Sequence, residues 1–455
     1  MSKKQKRMLA SLAVAGLAIA SLAGCGGGSK TDDAAEPQSS EGTAADVEGA
    51  TTIEMWVFVE LHKKFYEVMA DKWNEENPDR PVNLVATVYP YDDMHSKLQL
   101  AANSGEGLPD AVDIELGKFA NFVKGDSTPL MALNEYAEPY LGEVVQARLD
   151  LYSRNGEIYG YPTHVGAMVA FYNTEALEAA DIDYTTIKTW DDFKAAGEKY
   201  YAATGQPMGT ANTFATWDDT LALAQEGGQF FTDGGLGAVD VNNSKVVEVF
   251  NNKVAMQEAG AIGTIPGGQP DTEEAYGVMN SGEYPAIIMP GWMASRYVDY
   301  MPDLEGKVAI APPPSMPGSD VTTIGGGGTG TAVPKQAENA ELAAEWLAYA
   351  KLSPEASIQV WEVLGFDPVN MTVWTDEELT HNPDNKFNQY FLTNMFDVLN
   401  EMKDGIGYLE SFTNSGYPTL NDQFVTVTLN EIFENGVSPQ EALDQAQADL
   451  ENELG

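Results

Sequence analysis

The stretch "TTIEMWVFVE" (residues 51–60) alternates apolar with polar residues, becomes apolar through its centre and ends on Glu60, the pattern of a first strand with a polar tip. The next segment, "HKKFYEVMADKWNEENPD" (62–79), spaces Phe65, Met69 and Trp73 four apart and closes on Asn77 and Pro78, which predicts a helix and its stop. Onward, "PVNLVATVYP" (81–90) reads as a second strand, "YDDMHSKLQLAANSGEG" (91–107) as a second helix and "PDAVDIE" (109–115) as a third strand. Repeated strand–helix alternation predicts an α/β fold in which a mostly parallel sheet carries helices on both faces. Ligands of such sheets sit outside the carboxyl ends of the strands, so Glu60, Tyr89, Tyr91, Asp113 and Glu115 are expected at a rim, not in a core.

Further along, "GEIYGYPTHVGAMVAFYNTEAL" (156–177) is a turn, an apolar strand and the start of a helix, and its Pro162 and Gly166 suit a chain crossing between lobes. "IKTWDDFKAAGEKYYAATG" (187–205) is an amphipathic helix with a cap at Thr189, a capping-box partner at Asp192, and Trp190 and Phe193 facing inward. Helices are also expected near 216–226, 244–259 and 272–281, in "ENAELAAEWLAYAKL" (338–352), and through most of 385–454. "KVAIAPPPSMPGSD" (307–320) is a strand running into a proline-rich connector, the best candidate for a return crossing.

Before residue 51 the character changes. Lys3, Lys4, Lys6 and Arg7 precede an apolar run from Met8 to Leu22, an export signal too short to cross a membrane comfortably. An uncleaved anchoring helix is the alternative. The lone cysteine, Cys25, has no partner for a disulfide and no neighbour to activate it as a nucleophile. From Gly26 to Ala50 the chain is small and polar, a tether spanning about 25–30 Å. The remaining part, about 400 residues, is too long for one comfortable core and should divide into at least two lobes.

Composition excludes several classes of function. With 25 Lys+Arg against 69 Asp+Glu, the chain lacks the clustered positive charge that nucleic acid requires. An anionic ligand is disfavoured too, although one local arginine could overturn that. His62, His95, His164 and His381 are dispersed and show no metal-ligand spacing; only His164, near the first crossing, is a candidate for ligand contact. No cofactor is implied. The glycine cluster "GGGGTGTAVPK" (325–335) lacks the Lys-Ser/Thr offset of a phosphate loop and the immediate helix of a dinucleotide site, which leaves a plain turn or a ligand-facing loop.

Aromatic residues are more informative. Trp56, Trp217, Trp292, Trp361 and Trp374 lie near the ends of expected elements or beside Gly, Pro, Asp or Thr, whereas Trp73, Trp190 and Trp346 lie within helices and read as core. A sugar ring is apolar on its C–H faces and hydroxylated at its edge, so a site for it needs flat platforms with short polar partners. Trp292, in the turn "PGW", is the leading platform, with simple packing as the alternative. Glu60, Asp113 and Glu115 could accept bonds from hydroxyls, lie as solvated surface acids, or act as the acid and base of a glycosidase.

These pieces together resemble the family 1 extracellular solute-binding proteins, the maltose-binding-protein-like receptors of bacterial ABC importers. The likeness rests on "IEMWVF", "KLQLAANSGEGLPDAVDIE", "PLMALNEY", "GEIYGYPTHVGAMVAFYNTEAL", "KTWDDF", "GEYPAIIMPGW", "KVAIAPPPS", "GGGGTGTAVPK", "NAELAAEWLAYAKLSPEA" and "SPQEALDQA", in that order, from Thr52 to the carboxyl end. Leu22, Ala23, Gly24 and Cys25 resemble a lipoprotein box, which implies lipid on Cys25, residues 1–24 as signal and 25–50 as linker. The resemblance implies a two-lobed, type II periplasmic-binding-protein-like fold, each lobe a mostly parallel sheet flanked by helices. Lobe 1 would comprise 51–161 plus 313–370 and lobe 2 162–312 plus 371–455, with a mono- or oligosaccharide held in the cleft between them.

The resemblance also implies a monomer, anchored outside the cytoplasm to the cell membrane, that delivers its sugar to permease subunits and has no catalytic residues of its own. A surface glycoside hydrolase and a non-transport carbohydrate-binding module are the competing readings. The ligand-binding positions expected are Trp56, Glu60, Tyr91, Asp113, Glu115, His164, Tyr172, Trp217, Trp292, Gly326, Gly327 and Trp374. One departure is Glu283, which stands where the family often has a basic residue after the glycine. "DIELGKFANFVKG" (113–125) is similar to receptors for arabinose-containing oligosaccharides.

Overall fold

The computed structural model describes residues 47, 49–124 and 128–454; the expected signal, Cys25 and most of the tether lie outside them. The first strand and helix form as the sequence pattern requires. β1 (Thr51–Val57) sends Ile53, Met55 and Val57 to one face, and the Glu60–Glu76 helix buries Phe65, Met69 and Trp73 against that face. β2 (Val82–Val88) and β3 (Ala111–Glu115) pair with β1 in parallel on either side.

β4 (Ser153–Arg154) and β5 (Glu157–Ile158) make a small hairpin, and β6 (Tyr161–Pro162) leads into β7 (Met168–Asn173). β8 (Gly209–Ala211) pairs in parallel with β9 (Ile262–Thr264). β10 (Ala286–Pro290) and β11 (Val308–Ala311) flank β7, and β12 (Thr323–Ile324) precedes β13 (Thr329–Ala332) and pairs with β14 (Ile406–Gly407).

The sheets are mixed, which corrects the expectation of mostly parallel ones. The five-stranded sheet has the order β2-β1-β3-β13-β6, with β13 antiparallel to both neighbours, and the three-stranded sheet β10-β7-β11 is antiparallel throughout. The physical reason is that β10 and β11 both oppose β7 and so run parallel to each other, joined by the Met293–Tyr300 helix. Sequence alternation registers that crossover but not the strand from far upstream that fills its middle. β7 is buried along its whole length; Met168, Ala170 and Tyr172 join one apolar cluster, while Val169 and Phe171 join another. Trp73, Trp190 and Trp346 are buried as expected.

Helix boundaries follow local chemistry. The expected helices appear as Trp217–Gln225, Ser244–Glu258, Glu273–Asn280 and Ala340–Leu352. The Trp190–Thr204 helix has the full capping box: Thr189 accepts from the Asp192 N–H, and the Asp192 carboxylate accepts from the Thr189 N–H at 3.0 Å. Among the described residues no helix is long and apolar enough to cross a membrane. Thr189→Ala removes one half of the box and is expected to lower stability by about 1 kcal/mol, read as a lower urea midpoint with unchanged slope.

Candidate functional site

Strand register brings four chain segments to one place. β13 runs against β3 with Thr329 opposite Glu115, so the loop before β13, Gly325–Gly328, lies at the carboxyl end of β3. β10 runs against β7 with Pro290 opposite Met168, so Trp292 emerges beside the chain that enters β7. Ala167 bridges to Gly325, and the Gly326 N–H donates to Gly166 O at 2.8 Å. The end of β3, the start of β7, the end of β10 and the glycine loop therefore share one rim.

The glycines are needed by contact as well as conformation. A Cβ at Gly326 would stand 2.6 Å from the Pro290 ring and 2.9 Å from Met168 Sδ; at Gly327, with φ +63°, it would stand 3.1 Å from the Trp217 indole. Trp292 Nε1 donates to Gly326 O at 3.0 Å, and its ring meets Trp217 edge to face at 5.9 Å and 77°. Trp217, half-buried, donates from Nε1 to Gln269 at 3.4 Å. The Arg296 guanidinium lies 5.6 Å from the Trp292 ring and is held by Asp271 at 3.1 Å; Asp271 also accepts from Tyr276. Trp217, Trp292, Gly326 and Gly327 are thus one cluster, and His164 borders it: a Cβ on Gly328 would come within 3.2 Å of its ring.

His164 is 3 % exposed, packs edge to face against Phe366 and has neither ring nitrogen hydrogen-bonded. Burial first, then the neighbouring Arg148 charge, holds it well below the ordinary histidine range, so the ring is neutral. Arg148 itself is buried and donates to the carbonyls of His164 (3.2 Å) and Gly327 (2.8 Å), tying the glycine loop to the entry of β7. Asp367 completes the junction by accepting from the N–H groups of Gly166 (3.0 Å) and Ala167 (2.7 Å). Burial pushes its carboxyl up to about 6 against those bonds.

The acids divide by role. Asp113 is completely buried, a correction to its expected rim position: β3 is an interior strand, and Asp113 points under the Glu60–Glu76 helix. It accepts from His62 Nδ1 (3.0 Å), Tyr66 (2.6 Å) and Thr331 (2.8 Å), while Lys351 donates to Tyr66 at 2.8 Å and also to Thr163. Burial alone would raise the Asp113 carboxyl, but the His62 bond, the Lys351 charge and the Tyr66 bond together hold it below its usual range. An acid so engaged is not available as a glycosidase acid or nucleophile.

Glu115 remains at the rim, half-buried, and accepts from Tyr91 at 3.1 Å and the Gly117 N–H at 2.7 Å; burial raises its carboxyl despite these bonds. Glu60 is exposed and is the first residue of a helix instead of a strand tip, because β1 stops at Val57.

Other expected positions go elsewhere. Trp56 packs edge to face on Tyr89 at 5.6 Å with the Lys97 ammonium 4.7 Å from its ring. Tyr172 lies at the far end of β7 from Met168, opposite Ala286, and packs against Tyr184. Trp374, 2 % exposed, is embedded in the core with Nε1 bonded to Pro368 O, and Trp361 is likewise buried. Arg148, Asp367, Arg296 and Phe214 were not singled out by sequence. Phe214 is 55 % exposed in the loop after β8, where the Thr213 and Phe214 N–H groups both donate to Gly268 O; an aromatic beside "TW" at a strand end was its only signal. Among the described residues no group of three His, Cys, Asp or Glu side chains could hold a metal ion.

Trp217, half-buried, and Trp292, buried at 8 % exposure, thus meet the glycine backbone at strand ends, with Glu115 as the carboxylate left at the end of β3. Residues 59–356 match the bacterial extracellular solute-binding proteins, and the chain belongs to that family. It is a binding protein of the extracytoplasmic space and not an enzyme. Its relatives include the arabinooligosaccharide-binding protein of Halalkalibacterium halodurans, 40 % identical over 413 residues (89 % of this chain, 90 % of the relative). The arabinooligosaccharide-binding protein of Bacillus subtilis is 39 % identical over 406 residues (88 % and 92 %).

Solved structures agree in fold. The sugar-binding protein MalE of Xanthomonas citri has a TM-score of 0.72 at 16 % identity, covering 88 % of this chain and 97 % of that one. The ABC transporter associated binding protein of B. animalis subsp. lactis, in complex with β-1,6-galactobiose, has a TM-score of 0.69 at 19 % identity, covering 88 % and 97 %.

His95 offers a pH test at the rim. Its Nδ1 meets the Tyr91 carbonyl at 2.8 Å and must donate, while its Nε2 accepts from the Glu115 N–H at 3.1 Å, so only the neutral Nδ1–H tautomer satisfies both. Burial lowers its pKa to about 4. Because the unfolded ring takes up a proton first, this residue's contribution to stability is lost as pH falls from about 6.5 to about 4. A His95→Gln variant, which does not titrate, is expected to show a shallower loss of unfolding free energy across that window in urea melts at successive pH values; an identical slope would remove His95 as the cause.

Proposed function

We propose that the chain is a lipid-anchored receptor that captures a short arabinose-containing oligosaccharide and delivers it to the permease of an ABC importer. The observation that carries the reading is the Trp217–Trp292 pair seated on the Gly326–Gly327 loop, with Gln269 and Arg296 at the rings and Glu115, bonded to Tyr91, at the end of β3 beside that loop. Indoles take the C–H faces of a sugar, and the carboxylate, phenol, amide and guanidinium take its hydroxyls. The relatives named above support the choice of sugar, and Phe214, exposed on the adjoining loop, is placed to extend the platform for a second ring.

In this reading the lobes are 51–161 plus 313–370 and 162–312 plus 371–455. A sugar that contacts both binds their closed arrangement better than the open one and shifts the population toward closure. Lipid on Cys25 and the tether to residue 50 hold a monomer at the membrane surface.

Calorimetric titration with arabinotriose, arabinose and maltotriose tests the proposal. Saturable binding of arabinotriose with the sugar recovered intact is expected; release of shorter sugars, or binding of none of the three, overturns it. Trp292→Ala is expected to weaken arabinotriose binding by roughly tenfold or more with an unchanged circular dichroism spectrum. Full affinity in that variant removes Trp292 from the site.

A further inference from the structure

The helix Trp217–Gln225 begins on the indole that meets Trp292, and the two residues after it, Asp218 and Asp219, are turned into the protein and buried. Both are held by one cation from another helix: Lys253 Nζ lies 2.7 Å from Asp218 Oδ2 and 2.5 Å from Asp219 Oδ1. Asn212, which follows β8 directly, donates to Asp218 Oδ1 at 3.0 Å. Asn212 Oδ1 and Asp219 Oδ2 are buried without partners, so the cluster has two carboxylates to one ammonium and two acceptors unused.

Packing does not secure this helix start on every side. A cavity of about 110 Å³, bordered by Trp190, Met256, Met316, Pro317, Asp191 and Lys194, opens against Asp218 and Lys253. The charged groups around the cluster are thus Lys253 on the Ser244–Glu258 helix and Asp191 and Lys194 on the Trp190–Thr204 helix, while β10 brings only Ala286 and Ile288 to the adjoining void. Beside this cavity, the ion pairs tie the start of the helix to the Ser244–Glu258 helix.

We propose that Lys253, through Asp218 and Asp219, positions the Trp217 ring for ligand and makes sugar affinity depend on the charge of Asp219. This rests on the reading of Trp217 as a ligand platform. The three residues touch no ligand themselves; they are positioning residues. Burial pushes the Asp219 carboxyl up to about 7 against the attraction of Lys253, so it changes charge near neutrality. When it takes up a proton, Lys253 is left with one anionic partner and its hold on the helix start relaxes.

Arabinotriose affinity, measured by calorimetry from pH 6 to pH 8, tests this in the full chain. The wild type is expected to bind about threefold more weakly at pH 6 than at pH 8. Asp219→Asn, which keeps the shape and cannot ionise, should bind with nearly constant affinity at the wild type's pH 6 level; a profile parallel to the wild type's overturns the proposal. Lys253→Met should weaken binding by about tenfold at pH 8, and if it does not fold the Asp219→Asn profile still decides. Trp217→Ala separates the two readings. Full affinity in that variant ends the platform reading, whereas lost affinity beside an unaltered pH profile in Asp219→Asn ends the positioning proposal alone.

Discussion

The carboxylate of Asp113 is the interaction on which the rest of the architecture hangs. It is a full charge in the protein interior, tolerated because three donors and a nearby ammonium surround it. Those donors come from distant parts of the chain: His62 and Tyr66 from the first helix, Thr331 from a strand more than 200 residues later, with Lys351 beyond that. Slipping β13 by one residue past β3 would turn Thr331 to the opposite face and leave the carboxylate short of a partner. The register of the latest strand in that sheet is therefore set by a buried charge on an early one, and the glycine loop is placed where the β3 strand ends.

From that register the rest of the site follows. Gly326 admits Pro290 and Met168 to distances that a Cβ would forbid, Gly327 takes a positive φ beside Trp217, and their carbonyls receive Trp292 and Arg148. Trp292 is thereby bonded to backbone, while Trp217 bonds the Gln269 side chain and packs against the glycine loop. Arg148 donates from Nε and Nη2 to carbonyls while its Nη1 is buried without a partner, and Arg296 is paired with Asp271.

Much of this was legible in the sequence. The early strands and helices, the Thr189 capping box and the indoles in helix interiors follow from periodicity and local chemistry, which act over a few residues. Trp217, Trp292 and the glycines could be read as candidates because they stand where elements end. What could not be read depends on contacts across hundreds of residues. The antiparallel place of β7 between β10 and β11 is invisible to local alternation. The burial of Asp113 and Trp374 depends on what packs over them, and a carboxylate at a strand end looks the same in sequence whether it faces solvent or a tyrosine. Arg148 carries no pattern at all, since its partners are main-chain carbonyls.

Two buried charge clusters with different balances give the molecule opposing responses to pH. Around Asp113 donors outnumber the single carboxylate, so its pKa is lowered against burial, and that stabilisation is present above the unfolded value and lost as pH falls from there through the lower folded one. Beside Lys253, burial and then the Asp218 charge raise Asp219 against the ammonium's attraction, and its ionisation costs stability as pH rises from about 4 toward 7. The first cluster sits under the main sheet, where a fixed register is needed at all times. The second sits at the start of the helix that carries Trp217. The first cluster satisfies its carboxylate fully, whereas the second leaves Asp219 Oδ2 and Asn212 Oδ1 without partners, so the two differ in how completely their buried charge is compensated.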